Sequence, residues 1–331
     1  MAQIVNIADL PNACRQPDAS LEEAADTARI DMRVVFGRDI SLAVATCAPG
    51  YHPAPQVHAS EQLNYVAEGE IWIFADGEAY LLRAGDALRV PAMKIHWMWN
   101  RSANPCVLYE SHCPPLAGDP AVRNSEGALF DDASIPAGLQ LPAISWLAES
   151  YARELEQRDP QPSAGPLFAA AGSLQTSVHG GAIGAAAAGK LTTKCIHGLR
   201  HNMTVARRRG GYHSMPHMHE AEQIHHVVQG EISIFTPEAG FLCRRGDFNI
   251  VPSGVPHWSI VPDGEDNILL QAHSPVLGSA ANRKALLTAA EAAVPPPVVY
   301  NLAPWRAEDL WALEESHLAA MRTSRRPGEG E

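Results

Sequence analysis

The chain contains itself twice, and this repeat constrains the fold more than any other feature. Shifted by 161 residues, positions 50–100 align with 211–261 without a gap, and 21 of these 51 positions are identical. The paired segments are GYHPAPQVHASEQLNYVAEGEIWIF and GYHSMPHMHEAEQIHHVVQGEISIF, followed by RAGDALRVPAMKIHW and RRGDFNIVPSGVPHW. Similarity reaches back to Gly37 and Gly198 and forward to His112 and His273. Within each repeat, short runs rich in Val, Ile and aromatic residues alternate with Gly, Pro and Asp turns, the pattern of strands. The expectation is an all-β core of two tandem units from an internal duplication, with helices added in the linker and at the C-terminus.

The divisions read from this pattern are residues 1–29 as an N-terminal extension, 30–116 as the first unit and 117–190 as a helical linker and extension. Residues 191–276 form the second unit and 277–331 a C-terminal helical extension. SIPAGLQLPAISWLAESYARELEQRD predicts a helix ending before Pro160, and QPSAGPLFAAAGS reads as linker. ANRKALLTAAEAA and APWRAEDLWALEESHLAAMRTSRR predict two more helices. In the last of them Trp305, Leu310, Leu313 and His317 recur at near-helical spacing, and the tail RRPGEGE should fray.

A length of 331 residues suits two domains, and 46% hydrophobic with 19% charged residues is a globular mix. The net charge of −12 argues against a general nucleic-acid binder and against docking on anionic lipid. Cys14, Cys47, Cys106, Cys113, Cys195 and Cys243 are scattered with no CxxC pair, which speaks against a disulfide-stapled fold or a cysteine zinc site. The start shows no basic region followed by an apolar run, and no stretch reaches the length of a membrane helix. These features predict a soluble cytoplasmic protein with no nucleic-acid or membrane partner.

The arrangement resembles the cupin superfamily, specifically a two-domain bicupin. The family pattern is G(x)5HxH(x)3–4E(x)6G, then G(x)5PxG(x)2H(x)3N. The second repeat matches with Gly211, His217, His219, Gln223 and Gly230, then Gly246, Pro252, Gly254 and His257. Gln223 stands in place of Glu and Val261 in place of Asn. The first repeat has Gly50, Gln56, His58, Gln62 and Gly69, then Gly85, Pro91, His96 and Asn100. There Gln56 replaces a histidine and Met93 the motif glycine. The resemblance covers about half of the chain. It implies two jelly-roll β-barrels and a metal site in the second, made by His217, His219, Gln223 and His257. Gln56, His58, Gln62 and His96 would form a weaker second site.

The spacing has its own physics. An HxH pair on a strand points both imidazoles to one side. Three imidazoles and an amide oxygen suit a borderline divalent ion, with Fe(II) favoured over Mn, Ni, Zn or Cu. The competing reading for the second unit is a polar, metal-free pocket. For the first it is a degenerate barrel kept for packing. Strand parity turns His225 inward as a candidate general base, against the alternative of a hydrogen-bonded wall histidine. Tyr212 is a second proton-transfer candidate at the barrel mouth, against a turn role. Pocket candidates are His201, Arg207 by its parity with His201, His273 and Trp97, each weighed against a structural role. Glu61 and Glu222 should face outward by alternation, unless a bulge swaps each with its neighbouring glutamine.

The resemblance supports three functions. The first is a metal-dependent bicupin enzyme of the Fe(II) dioxygenase type, working in the second barrel on a small anionic or oxygen-chelating substrate. The second is a non-redox lyase, isomerase or cyclase, which the Gln-for-Glu motif favours because it is similar to small cupins of sugar-acid and sulfonium-lyase metabolism. The third is a small-ligand binding or sensor cupin without turnover. No DNA-binding helix-turn-helix is visible in the sequence. The terminal helices are candidates for joining two chains as a homodimer.

Overall fold

The strands of the first unit run from Ile30 to Cys113 and those of the second from Leu191 to Ser274. The structure, a computed structural model, describes residues 2–11, 13, 29–53, 55–115, 147–161, 167–171, 174, 176–178, 188–277, 286–294, 301–302 and 307–323. Cys14, Trp305, the tail RRPGEGE and residues 116–146 of the linker lie outside the described residues.

In the first unit the strands are β2 (Ile30–Phe36), β3 (Ser41–Cys47), β4 (Glu61–Glu68), β5 (Glu70–Ala75), β6 (Glu78–Arg83), β7 (Ala87–Val90), β8 (His96–Trp99) and β9 (Cys106–Cys113). They are preceded by β1 (Gln3–Asn6) and followed by helix α1 (Leu147–Glu156), β10 (Phe168–Ala169) and β11 (Thr176–Val178). The second unit holds β12 (Leu191–His197), β13 (Asn202–Arg208), β14 (His217–Met218), β15 (Glu222–Gln229), β16 (Glu231–Phe235), β17 (Gly240–Arg244), β18 (Asp247–Val251), β19 (Trp258–Ile260) and β20 (Asn267–Ser274). The chain continues through α2 (Ala289–Ala293), β21 (Asn301–Leu302) and α3 (Ala307–Thr323). Two of the predicted C-terminal helices are thus present. The segment read as linker instead supplies β10.

Each unit faces a large sheet against a small one. The large sheets run β10-β7-β4-β9-β3-β2 and β1-β18-β15-β20-β13-β12-β11, and the small ones β6-β5-β8 and β17-β16-β19. The jelly-roll arrangement is present, but hydrogen bonding does not close the sheets into barrels. Gly69 and Gly230 make the turns from β4 to β5 and from β15 to β16 at φ of 77° and 71°. A Cβ at either would strike the backbone carbonyl of Pro105 or Asp266, so only glycine fits.

The units exchange edge strands. β1, at the start of the chain, pairs with β18 of the second unit, while β10, between the units, pairs with β7 of the first. The large sheets also share one core. Leu42 and Leu63 of the first unit pack in the same cluster as Ile196, Met203, Ile224, Phe248 and Leu270 of the second. Burying each such side chain contributes roughly 1.5–3 kcal/mol. Cys113 and Ser274, equivalent under the repeat, touch at 3.2 Å, which places them on the local two-fold axis.

Two buried carboxylates mirror each other across this axis. Glu222 accepts the N–H groups of Arg38 and Asp39, both at 2.8 Å, and Glu61 accepts those of Leu199 and Arg200 at 2.9 and 2.8 Å. Gly37 and Gly198 lie against these carboxylates, where a Cβ would collide with Glu222 or Glu61. Both acids thus point away from the interior, as alternation requires, and into the partner unit.

A second mirrored device caps the small sheets. Glu156 of α1 accepts from Trp97 Nε1 at 3.0 Å and lies 2.8 Å from His52 Nε2. Glu314 of α3 accepts from Trp258 Nε1 at 2.5 Å and lies 3.1 Å from His213 Nε2. Two helices of unrelated sequence position therefore grip equivalent Trp–His pairs.

The Glu61 contacts are the more charged of the interface pair. Arg89 Nε lies 2.6 Å from Glu61 and the same guanidinium reaches Glu291 of α2 at 2.9 Å, while His201 Nδ1 sits 3.2 Å from Glu61. Burial pushes the Glu61 carboxyl up, but His201, Arg89 and the Arg200 N–H outweigh it and hold the group at about 2. Because the folded value lies below the unfolded one, this stability is present above about pH 4.5 and is lost as pH falls toward 2. Glu61→Gln should destabilise the neutral protein by about 3–5 kcal/mol. In urea titrations, the gap between wild type and variant should narrow as pH falls from 4.5 toward 2. A gap that does not change with pH would show that the carboxylate charge is not what matters.

Candidate metal centre

The second unit gathers three imidazoles on one point. His217 lies on β14, His219 follows it, and His257 precedes β19. The His217 and His257 backbones exchange hydrogen bonds at 2.8 and 3.0 Å, which holds the two rings side by side with centroids 4.4 Å apart. Gly254, at φ 75°, donates its N–H to His219 O at 2.9 Å and so ties the returning loop to the HxH strand. One ligand atom from each of His217, His219 and His257 lies within 4.8 Å of the other two, close enough to share one ion.

Local hydrogen bonds set the tautomers. His217 Nδ1 meets Met215 O at 2.9 Å, His219 Nδ1 meets Ala221 O at 2.9 Å, and His257 Nδ1 meets Val255 O at 3.0 Å. A carbonyl only accepts, so Nδ1 carries the proton in all three and Nε2 keeps a lone pair. Among the described residues, His257 Nε2 is buried with no hydrogen-bond partner. Burial holds the rings neutral: His217 falls to about 4, and His257 falls well below the usual histidine range, helped by His217 and His219. Neutral imidazoles with inward lone pairs are what a cation requires and what an empty core would not tolerate.

Further side chains surround the triad. Gln223 lies beside His219, and the His273 ring sits edge-on to His219 at 5.7 Å. Asn202 Nδ2 reaches His273 Nδ1 at 3.3 Å, while His273 Nε2 is buried without a hydrogen-bond partner among the described residues. His225 faces the interior as alternation predicts; its Nδ1 meets Asn249 Oδ1 at 3.3 Å, and Asn249 is itself tied to Gln3 O of β1 at 3.0 Å. Burial and the Arg208 charge bring His225 down to about 3.

The first unit closes the equivalent space on itself. His58 and His96 hold the same Nδ1 contacts, to Ser60 O and Lys94 O, both at 2.9 Å. Gln56 Nε2, however, lies 3.4 Å from His96 Nε2 and occupies its lone pair. Gln62 lies 3.1 Å from His58 Nε2 and donates to Asn64 at 2.7 Å and to Glu110 at 3.3 Å. Burial pushes the Glu110 carboxyl up to about 7. Met93 holds φ 62° where the second unit has Gly254, a conformation that costs roughly 1–2 kcal/mol. Among the described residues, the one histidine and acid group spaced for a metal is the triad of the second unit.

Four expected site residues lie elsewhere. His201 shares its strand face with Met203, and that face packs on the first unit; its ring meets Glu61 and Ser111 rather than the interior. Arg207 is exposed and pairs with Asp266 at 2.7 Å. Trp97 faces α1 on the far side of the small sheet. Tyr212 is buried in the apolar core with Ala206, Val227 and Leu269 instead of at a mouth. The sequence reading chose Arg207 from the basic run Arg207–Arg209 over Arg208, and it missed Asn202, Asn249 and Glu110. The repeat carried a signal for Arg208, because it aligns with the fully buried Cys47 and Arg207 aligns with the exposed Thr46.

No helix among the described residues is long and apolar enough to cross a membrane. Residues 43–112 match the family model of the cupin domain. No curated protein matches the chain. Among solved structures, an oxalate decarboxylase of Lactobacillus farciminis in complex with formate is similar, at TM-score 0.59 and 14% identity over 82% of this chain and 86% of that one. AerE from Microcystis aeruginosa is similar at TM-score 0.51 and 16% identity, over 74% of this chain and 92% of that one. Vicilin from hazelnut, Corylus avellana, is similar at TM-score 0.53 and 15% identity, over 82% of this chain and 85% of that one. At such identities the likeness concerns the fold alone, and these proteins differ widely among themselves. The first unit thus matches the cupin domain, the second repeats its motif, and the chain as a whole shares the fold of these solved proteins.

Proposed function

We propose that the chain is a metal-dependent enzyme acting on a small organic anion, with its working centre in the second unit. The observation that carries this reading is the triad itself. His217, His219 and His257 are neutral, locked with Nε2 lone pairs inward, and grouped within 4.8 Å. Gln223 beside them offers an amide oxygen as a fourth donor. A divalent transition ion held by these four would supply Lewis-acid polarisation of a bound oxygen or, as Fe(II), the means to use O2.

The other residues position and exclude. His273, oriented by Asn202, walls one side of the triad. His225 gives its Nδ1 proton to Asn249, so its Nε2 lone pair is free to accept a hydrogen bond or proton from substrate. Its pKa of about 3 makes it a weak base that steers a proton rather than storing it. Tyr212, set in the apolar core, has no proton-transfer role in this reading.

The four donors are uncharged, which favours binding an anion and disfavours losing an electron. This supports the non-redox reading, a lyase or isomerase. The Fe(II) dioxygenase expected from the sequence is the second reading, favoured because four protein donors leave open positions for substrate and O2. The comparison with oxalate decarboxylase fits either, since it rests on fold.

The metal is testable first. Chelator-treated, dialysed protein should take up about one divalent ion per chain. His257→Ala and Gln223→Ala should each weaken uptake by about 100-fold, whereas Glu222→Ala should keep the metal and lower the melting temperature. Metal lost in Glu222→Ala but kept in Gln223→Ala would mean the ligand register is wrong. For the reaction class, turnover should persist undiminished under strict anaerobiosis; loss of turnover without O2 would favour the dioxygenase.

A further inference from the structure

Arg208 ends β13 with its side chain inside the second unit. Along that strand Met203 packs on the other unit, whereas Asn202, Thr204 and Arg208 are buried on the opposite parity. Asn202 holds His273, so this inner face is the one that borders the triad. The Arg208 guanidinium lies over the Tyr212 ring at 5.3 Å and is only 5% exposed. Its Nε and Nη1 are buried and have no hydrogen-bond partner among the described residues. Three N–H donors are thus unmet on a group that never loses its charge.

Such a cation is costly to bury alone. Among the described residues it stands over the Tyr212 ring and forms no ion pair. The first unit carries Cys47 at the equivalent position, just where it also replaces His217 with Gln56 and His225 with Asn64. The arginine is therefore present only in the unit that has the full triad. The exposed neighbour Arg207 already has its carboxylate in Asp266. Arg208 has none.

We infer that Arg208 is the carboxylate-binding residue of the second unit, and that the substrate carries a carboxylate separate from the oxygen group presented to the histidine triad. This rests on the working centre proposed above, and it narrows the substrate class to carboxylic acids with a second oxygen function. In this assignment Arg208 is a substrate-binding residue and makes no covalent step.

The test uses the full chain stripped of metal, so that acetate, the probe, reports on the arginine alone. Acetate at tens of millimolar should raise the melting temperature of wild type beyond sodium chloride of equal ionic strength. Arg208→Met should lose that acetate-specific shift and, freed of an unpaired charge, should melt about 3 °C or more above wild type without acetate. Arg208→Lys should keep part of the acetate shift. An acetate shift unchanged in Arg208→Met, a melting temperature lowered by that change, or no acetate-specific shift in wild type would overturn the assignment. Zinc uptake measured on the same proteins separates the two readings. Arg208→Met should bind zinc as wild type does, and a wild type that binds acetate but no zinc would sink the metal centre while leaving the arginine assignment standing.

Discussion

Strand alternation couples everything in this molecule. On β4 and β15, each residue that faces the interior of its unit is followed by one that faces the sister unit. Gln223 turns toward the triad while Glu222, its neighbour, reaches across to the Arg38 and Asp39 amides. Interface and site are thus built on one strand. A register slip by one residue would bury the amide in the interface and the carboxylate in the site, and both would fail together. The exchange of β1 and β10 ties the arrangement further, since Gln3 of β1 supports Asn249 and through it His225. The second unit's interior therefore depends on the first few residues of the chain.

The duplication has left the scaffold symmetric and the interiors unequal. The interface carboxylates and the Trp–His clasps recur in both halves, and Cys113 meets its equivalent Ser274 on the axis between them. The two interiors differ by a few side chains with large consequences. Gln56 brings an N–H donor to the lone pair that His96 would offer a cation, and Gln62 is engaged by Asn64 and Glu110. In the first unit, Gln56 and Gln62 fill the hydrogen-bonding positions at His96 and His58. In the second, His257, His273 and Arg208 carry polar atoms unmet among the described residues, which costs stability unless a ligand meets them.

The site was legible in part. His217, His219 and His257 come together as the motif spacing implied, and His225 turns inward as parity required. The errors share one cause. Counting alternation from His201 placed Arg207 inside, but the face shared by His201 and Met203 packs on the other unit. Alternation states which residues share a face; it does not state whether that face meets a ligand or a second hydrophobic sheet. Trp97 was misplaced for the same reason, because both faces of the small sheet are buried once α1 covers it. Glu110 gave no signal at all, since a carboxyl reads as solvent-facing until the fold encloses it.

What the amino-acid order determined alone is the duplicated β-architecture, the turns that need glycine, and the histidine spacing, because these depend on local sterics and on the two-residue period of a strand. Tertiary structure decided which unit keeps open lone pairs, which arginine is buried, and what Glu61 and Glu222 are for. Those outcomes depend on contacts between residues more than a hundred positions apart, where burial and unmet polar atoms are properties of the packed whole.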